Sequence, residues 1–247
     1  MRRLALIGLV FLACDKEPSK LEQMAKPSAV PGTVSTAPTP AVDTKPVKPQ
    51  LAVDDTAAFV AGERFDLAQP DPKGRLVAAL GTKPVAGETI TLEAAREAKT
   101  PKVATVIGAL AAAKAKGVLV RTRKRDGVTA EIPFVLSPKR EACTAVGFIA
   151  KDGAINAWTA GGTTAARFTR GMAGPDLTRG SEGVRKLIAA CDSPSWAVAT
   201  DDSVTWGLAI DLVLAVSGAE DGGTPPKAKD VSLVTKATPG QKVGEGD

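Results

Sequence analysis

The 247-residue chain predicts an α+β fold, a small sheet with its helices packed on one face. Three observations lead there. Residues 145–235 read in the order β-β-α-β-α-β. Within them a short apolar run at 196–200 passes through Asp201 and Asp202 into an apolar segment ending at Gly218, the grammar of strand, cap and helix. Asp126 with Gly127, and Asp152 with Gly153, each separate two strand-like runs as a hairpin turn does.

In chain order, residues 51–140 form a first α/β unit. Residues 75–80 read as a strand and 91–99 as a short helix. The clearest helix begins at Thr100, with Pro101 in its first turn. Val103, Val106, Ile107 and Leu110 share one face, Lys114 and Lys116 sit in the last turn, and Gly117 closes it. Strands follow at 118–123 and 128–136, and Pro133 places the second of them at a sheet edge. In the second unit, 141–235, strands at 145–150 and 154–158 precede a helix from near Thr178, on which Val184, Leu187, Ile188 and Cys191 fall at helical spacing. The segment 204–216 is apolar nearly all round, too short to span a bilayer and suited to a core helix; 231–234 is the last strand. The helix at 103–110 with its strand at 118–122 parallels 206–213 with 231–235. Two divergent tandem units are one reading of that echo, and the commonness of helix followed by strand is the other.

The chain opens with Arg2 and Arg3 and a short apolar run that reads as a cleaved export signal over residues 1–13. Phe11, Leu12, Ala13 and Cys14 resemble the lipobox of bacterial lipoproteins, which implies lipidation of Cys14. Leu12 and Phe11 depart from the usual small residue and leucine. Residues 14–50, rich in Pro, Ala, Thr and Lys, lack an apolar period and read as a disordered tether; 236–247 read as a disordered tail.

Composition narrows the chemistry. The chain has no His and no Tyr, so the histidine general base, His-containing triads and imidazole metal sites are excluded. No catalytic residue, cofactor or metal is assigned. With Cys14 lipidated, Cys143 and Cys191 remain; export invites a disulfide between them, with two buried thiols as the alternative.

The run 147–158, a following helix, the run 197–207 and the helix ending at Gly218 resemble the periplasmic domain of the ExbD/TolR biopolymer-transport family, over residues 145–235 with a fainter copy in 66–136. That resemblance implies a periplasmic domain of the same element order. Family members carry a transmembrane helix with a motor aspartate, where this chain has a signal segment and tether. The resemblance therefore implies a docking module without the motor part.

Candidate binding residues are the alternating Arg121, Arg123 and Arg125 with Lys124 nearby, a stripe able to meet an acidic partner, peptidoglycan or anionic lipid, or else a solvated hairpin. Asp201, Asp202 and Ser203 stand at the end of a strand, as ligand groups or as a helix cap with Asp201 solvated. Asp211, within the apolar helix, is expected to face solvent or a partner, with a buried functional carboxylate as the alternative. Nucleic acid is not expected in an exported chain with 4% aromatic residues. The expected function is that of a non-enzymatic envelope lipoprotein, lipid-anchored at the periplasmic face of the inner or outer membrane. It docks a protein partner in a transport, motility or envelope-maintenance assembly. Binding of a cell-wall polymer or small ligand is the alternative; an enzyme using carboxylates alone is a third reading, for which no nucleophile and base stand at a suitable spacing.

Overall fold

The computed structural model describes residues 48–218 and 226–244. The expected signal segment, Cys14 and all but 48–50 of the expected tether lie outside them. The first half of the fold runs β1 (Leu51–Val53), β2 (Ala57–Val60), β3 (Glu63–Asp66), α1 (Pro72–Gly81), β4 (Thr89–Ala94), α2 (Thr100–Ala112) and β5 (Gly117–Arg123). A hairpin adds β6 (Thr129–Phe134). The second half runs β7 (Ala145–Ile149), β8 (Ile155–Thr159), β9 (Ala166–Phe168), α3 (Leu177–Ala189), β10 (Ser195–Thr200), α4 (Trp206–Ser217) and β11 (Asp230–Val234).

The fold class is α+β, but the sheet is not small. All 11 strands join one sheet in the order β3-β2-β1-β4-β5-β6-β11-β10-β7-β8-β9. The order of elements β-β-β-α-β-α-β occurs on each side of β6 with the same pairings: an antiparallel three-strand meander at each outer end, then two parallel strands running inward. The stretches 51–140 and 141–235 thus share a sheet rather than forming separate ones.

Strand alternation puts two sets of side chains on opposite faces. Leu51, Val53, Ile90, Leu92, Val120, Trp196 and Val198 join the buried residues of all four helices in one core. Val146, Phe148, Trp158, Ala197, Ala199 and Val234 form a second cluster on the other face, closed by Val243. The helices therefore cover one face. In α3, glycine lets the helix sit close to the sheet: a Cβ on Gly180 would fall 2.5 Å from Ile155 Cδ1, and one on Gly183 2.4 Å from Phe168 Cζ.

Several local expectations are corrected. Residues 75–80 belong to helix α1: Pro72 starts it, Asp71 accepts a hydrogen bond from Gly74 N at 3.0 Å, and Leu76 and Leu80 are buried one turn apart. Residues 89–94 are strand β4, because Ile90, Leu92 and Ala94 are buried in alternation. Helix α2 ends at Ala112, and Lys114 takes the left-handed conformation (φ 60°) expected of Gly117, which instead opens β5. β6 is central rather than an edge strand. It meets β11 in a single register pair, Val231 with Phe134, so Pro133 interrupts little of a ladder. The strands β1, β2, β3 and β9 lie where the sequence pattern alone indicates none. Residues 236–244, expected as tail, lie across the second-half outer face: Trp158 Nε1 donates to Gln241 O at 2.9 Å and Val243 N donates to Ala160 O at 2.9 Å.

Candidate functional site

The two halves meet at the N-termini of α2 and α4. Lys99 and Thr205, the N-cap residues, form an isolated antiparallel bridge. Thr100 N donates to Val204 O at 3.0 Å, and Trp206 N donates to Ala98 O at 2.7 Å. Each helix thereby has a first-turn N–H satisfied by a carbonyl of the other half. No side chain caps α4. Asp201 Oδ1 instead accepts from Ser203 N at 3.0 Å and Ser203 Oγ at 2.7 Å, while Asp202 is exposed. The Ser203 hydroxyl, then its N–H, hold the Asp201 carboxyl below the usual carboxylate value. Asp202 and Ser203 are therefore not the α4 cap, and Asp201 is not simply solvated.

The arginine stripe is parted. Arg121 remains on the outer face, with Nε 2.7 Å from Glu131 Oε1 and Nη1 3.8 Å from Glu93 Oε1. Arg123 is exposed and Lys124 pairs with Asp126 at 2.9 Å. Arg125 stands at the hairpin turn, where the strand alternation stops, and turns to the helix side. Its Nε donates to Asp211 Oδ2 at 2.8 Å. Asp211, 5% exposed, faces neither solvent nor a partner. It also accepts from Arg96 Nη1 at 3.0 Å and Nη2 at 2.9 Å, a bidentate pair. Arg96 further donates to Arg123 O at 3.2 Å. This triad ties the β4–α2 loop, the β5–β6 turn and α4 together. Sequence reasoning missed Arg96; its one local signal is Gly207 in the first turn of an apolar helix, where a Cβ would lie 3.0 Å from the Arg96 guanidinium.

Cys143 and Cys191 form a disulfide with Cα atoms 5.6 Å apart, joining the segment before β7 to the chain leaving α3. Thr144 Oγ1 donates to Ser193 Oγ at 3.1 Å beside it, and Ser193 Oγ donates to Ser195 O at 3.0 Å, so the polar groups under the bridge are partnered.

The outer face of the first half differs from that of the second. Its register sets Ala52, Glu93 and Arg121 in a row at the places that Phe148, Ala199 and Val234 take beside β8. No described segment lies across it as residues 236–244 do on the second half. The small Ala52 leaves two adjoining hollows, one of about 530 Å³ bordered by Lys48, Gln50, Phe59 and Thr91, the other of about 360 Å³ bordered by Asp54, Phe59, Arg123 and Thr129. Phe59 is half-buried between them. The chemistry on offer is an aromatic flank, a small apolar floor and alternating charges, which suits binding.

No protein-family model matches the chain, and neither characterised proteins nor solved structures show significant similarity to it.

Proposed function

We propose that the protein is a non-enzymatic docking module of the bacterial cell envelope, held to a membrane through lipid on Cys14, and that it receives an extended segment of a partner protein on the outer face of β2, β1, β4 and β5. One observation carries this reading: the corresponding face of the second half is covered by an extended segment, residues 236–244, whereas the first-half face holds two open hollows beside Phe59. The order of elements in 145–235 and the resemblance to the ExbD/TolR family support a place in a transport, motility or envelope-maintenance assembly. The periplasmic address rests on the lipobox-like residues 11–14.

A photo-crosslinking residue at position 59 in the full chain, expressed in cells, tests the docking surface, with one at the buried position 158 as the covered control. A discrete protein adduct at 59, absent at 158 and lost when Ala52→Arg fills the hollows, is the expected result. No adduct, or one indifferent to Ala52→Arg, overturns the reading. Mass spectrometry of the mature chain tests the anchor separately: Cys14 should be the first residue and carry lipid.

A further inference from the structure

On the helix side, well away from the outer sheet face, a trough of about 760 Å³ runs along α2. Its wall is made of the small residues Ala104, Gly108 and Ala111, with the Lys73 side chain lying over Gly108, its Cε 3.6 Å from where a Cβ would stand, and its floor includes Ile107, Leu136 and Leu233. Ile107 is only 7% exposed, so the floor continues into the core. The charged groups bordering it are all cationic. Lys73 rises from α1 on one flank; Arg140 and Lys236 stand on the other, in the chain after β6 and after β11. Among the described residues no carboxylate borders the trough, although the chain carries 27 Asp and Glu against 32 Lys and Arg. Thr105, Ser137 and Thr235 add neutral polar groups to the lining, and a mixed composition with a single sign of charge at one trough is a local charge preference.

We propose that this trough docks an amphipathic helix of a partner protein whose apolar stripe carries acidic residues on both flanks. α2 is 13 residues long, so it offers a straight wall of about 20 Å, room for three to four turns of a partner helix. Small side chains along that wall allow helix axes to approach within the usual 8–10 Å once the exposed Lys73 side chain swings away from Gly108. The trough is partly open to solvent. A docked helix turns its polar face to that opening, whereas an acyl chain lying there would keep one side in water. Arg140 is held in place by its Nη1, which donates to Gly244 O at 2.5 Å, so one flank of the cationic border is fixed before a partner arrives. This inference concerns a different face from the docking surface proposed above and stands or falls separately.

The test uses the full chain and three defined probes. These are a synthetic amphipathic helix with leucine and alanine on one face and glutamate on both flanks, its twin with lysine for glutamate, and vesicles of phosphatidylglycerol. Binding is followed by fluorescence anisotropy and by NMR shifts of backbone amides. The acidic helix should bind saturably, shift Thr105, Gly108 and Leu136, and weaken as salt rises from low to physiological strength. The exposed double variant Lys73→Glu, Lys236→Glu should fold normally and lose about tenfold or more in affinity, and the lysine twin should bind the wild-type chain about tenfold more weakly than the acidic helix. Equal binding of both helices, no saturable binding, or shifts confined to other surfaces overturns the proposal. So does vesicle binding that needs Lys73 and Lys236 and is not displaced by the acidic helix, which assigns the trough to an anionic membrane surface.

Discussion

Lys99 and Thr205 face each other as a lone antiparallel bridge, each the N-cap of the helix that leads into the inner strand of its own half. The bonds around them are reciprocal, Thr100 N to Val204 O and Trp206 N to Ala98 O. A local two-fold relationship therefore sits at the centre of one chain. It makes each helix start depend on the backbone of the other half, so the halves should lose structure together. Trp206 strengthens the link: wholly buried, its ring lies tilted against Phe134 with centroids 5.7 Å apart, and its Nε1 donates to Thr122 Oγ1 at 2.9 Å.

Trp206→Ala should therefore cost about 3–5 kcal/mol, and Trp206→Phe less, with about 0.5–1.5 kcal/mol of its cost arising from the lost indole bond to Thr122 Oγ1, whose hydroxyl still donates to Ala94 O. Urea denaturation followed by far-ultraviolet circular dichroism should show one transition for wild type and for both variants. A two-step curve, in which one half outlives the other, contradicts this coupling.

Asp211→Asn should destabilise by about 3 kcal/mol, since it leaves the Arg96 guanidinium, 19% exposed, short of its charge partner. The Arg125 contact, on a side chain 63% exposed, contributes little by itself, and Arg125→Gln should cost under about 1 kcal/mol. Gly207 gives a sharper check. In the wild type, Gly207→Ala pushes a Cβ against the Arg96 guanidinium and should destabilise despite better helix propensity. In an Arg96→Ala background the same change should stabilise, by up to about 1 kcal/mol. The same sign in both backgrounds refutes the role given to Gly207.

The helices of the second half and its strands at 195–200 and 230–234 are legible because apolar period, Asp-Gly turns and Gly218 agree with one another there. The first half misleads where local and tertiary signals diverge. The run 91–99 holds Leu92, Glu93, Ala94, Ala95 and Arg96, residues with good helix propensity, yet parallel pairing on both sides makes β4 a strand. Pro133 signals an edge, and only the single-pair contact with β11 lets it sit inside the sheet. The triad was hidden for a different reason. Arg96 and Asp211 are brought together by the meeting of the two halves, and a period or spacing within one segment does not encode that. Arg125 was legible as a charge near a turn, while its direction depended on where the strand alternation ends.

The disulfide closes a loop of sequence separation 48, for which the chain-entropy model predicts about 4 kcal/mol. Cys143→Ser with Cys191→Ala should lower the denaturation midpoint accordingly without changing the fold. Thiol titration of the unfolded wild-type chain, without reductant, should find neither cysteine reactive. Reactivity at Cys191 under those conditions is the contrary result.

Acid should destabilise through four aspartates, among them Asp126, whose carboxyl the Lys124 ammonium and the Val128 N–H hold below its ordinary value. At Asp54, burial works against ionisation, but the N–H groups of Thr56 and Ala57 and the Thr56 hydroxyl outweigh it, at 2.7, 2.8 and 2.9 Å, and hold the carboxyl below its ordinary value. Asp152 is lowered by the Ala154 N–H and Arg167, and Asp201 by Ser203. A carboxyl with a depressed folded-state pKa contributes its stability above the unfolded value, near 3.8, and loses it as pH falls through the folded value. Stability should thus be level from neutral pH to about 5 and fall below about 4. Asp54→Asn should flatten part of that fall and cost about 1 kcal/mol at neutral pH. An unchanged acid limb in Asp54→Asn counts against this assignment.

Residues 236–244 should act as part of the fold rather than as a tail. Val243, 5% exposed, closes the cluster of Phe148, Trp158 and Val234, and the Trp158 indole has its hydrogen-bond acceptor in Gln241 O. Ending the chain after Thr235 uncovers that apolar patch and leaves the indole N–H to water. Burying a valine alone is worth about 1.5–3 kcal/mol, so Val243→Asp, which also places a charge against Trp158, should cost at least about 3 kcal/mol. The truncated chain should show red-shifted tryptophan emission, bind a hydrophobic dye and lose hydrogen-exchange protection on β7, β8 and β10 while β1, β2 and β4 keep theirs. That local pattern separates a missing cover from general unfolding. A truncated chain with the emission and protection of the full-length protein means that these residues rest on the sheet without stabilising it.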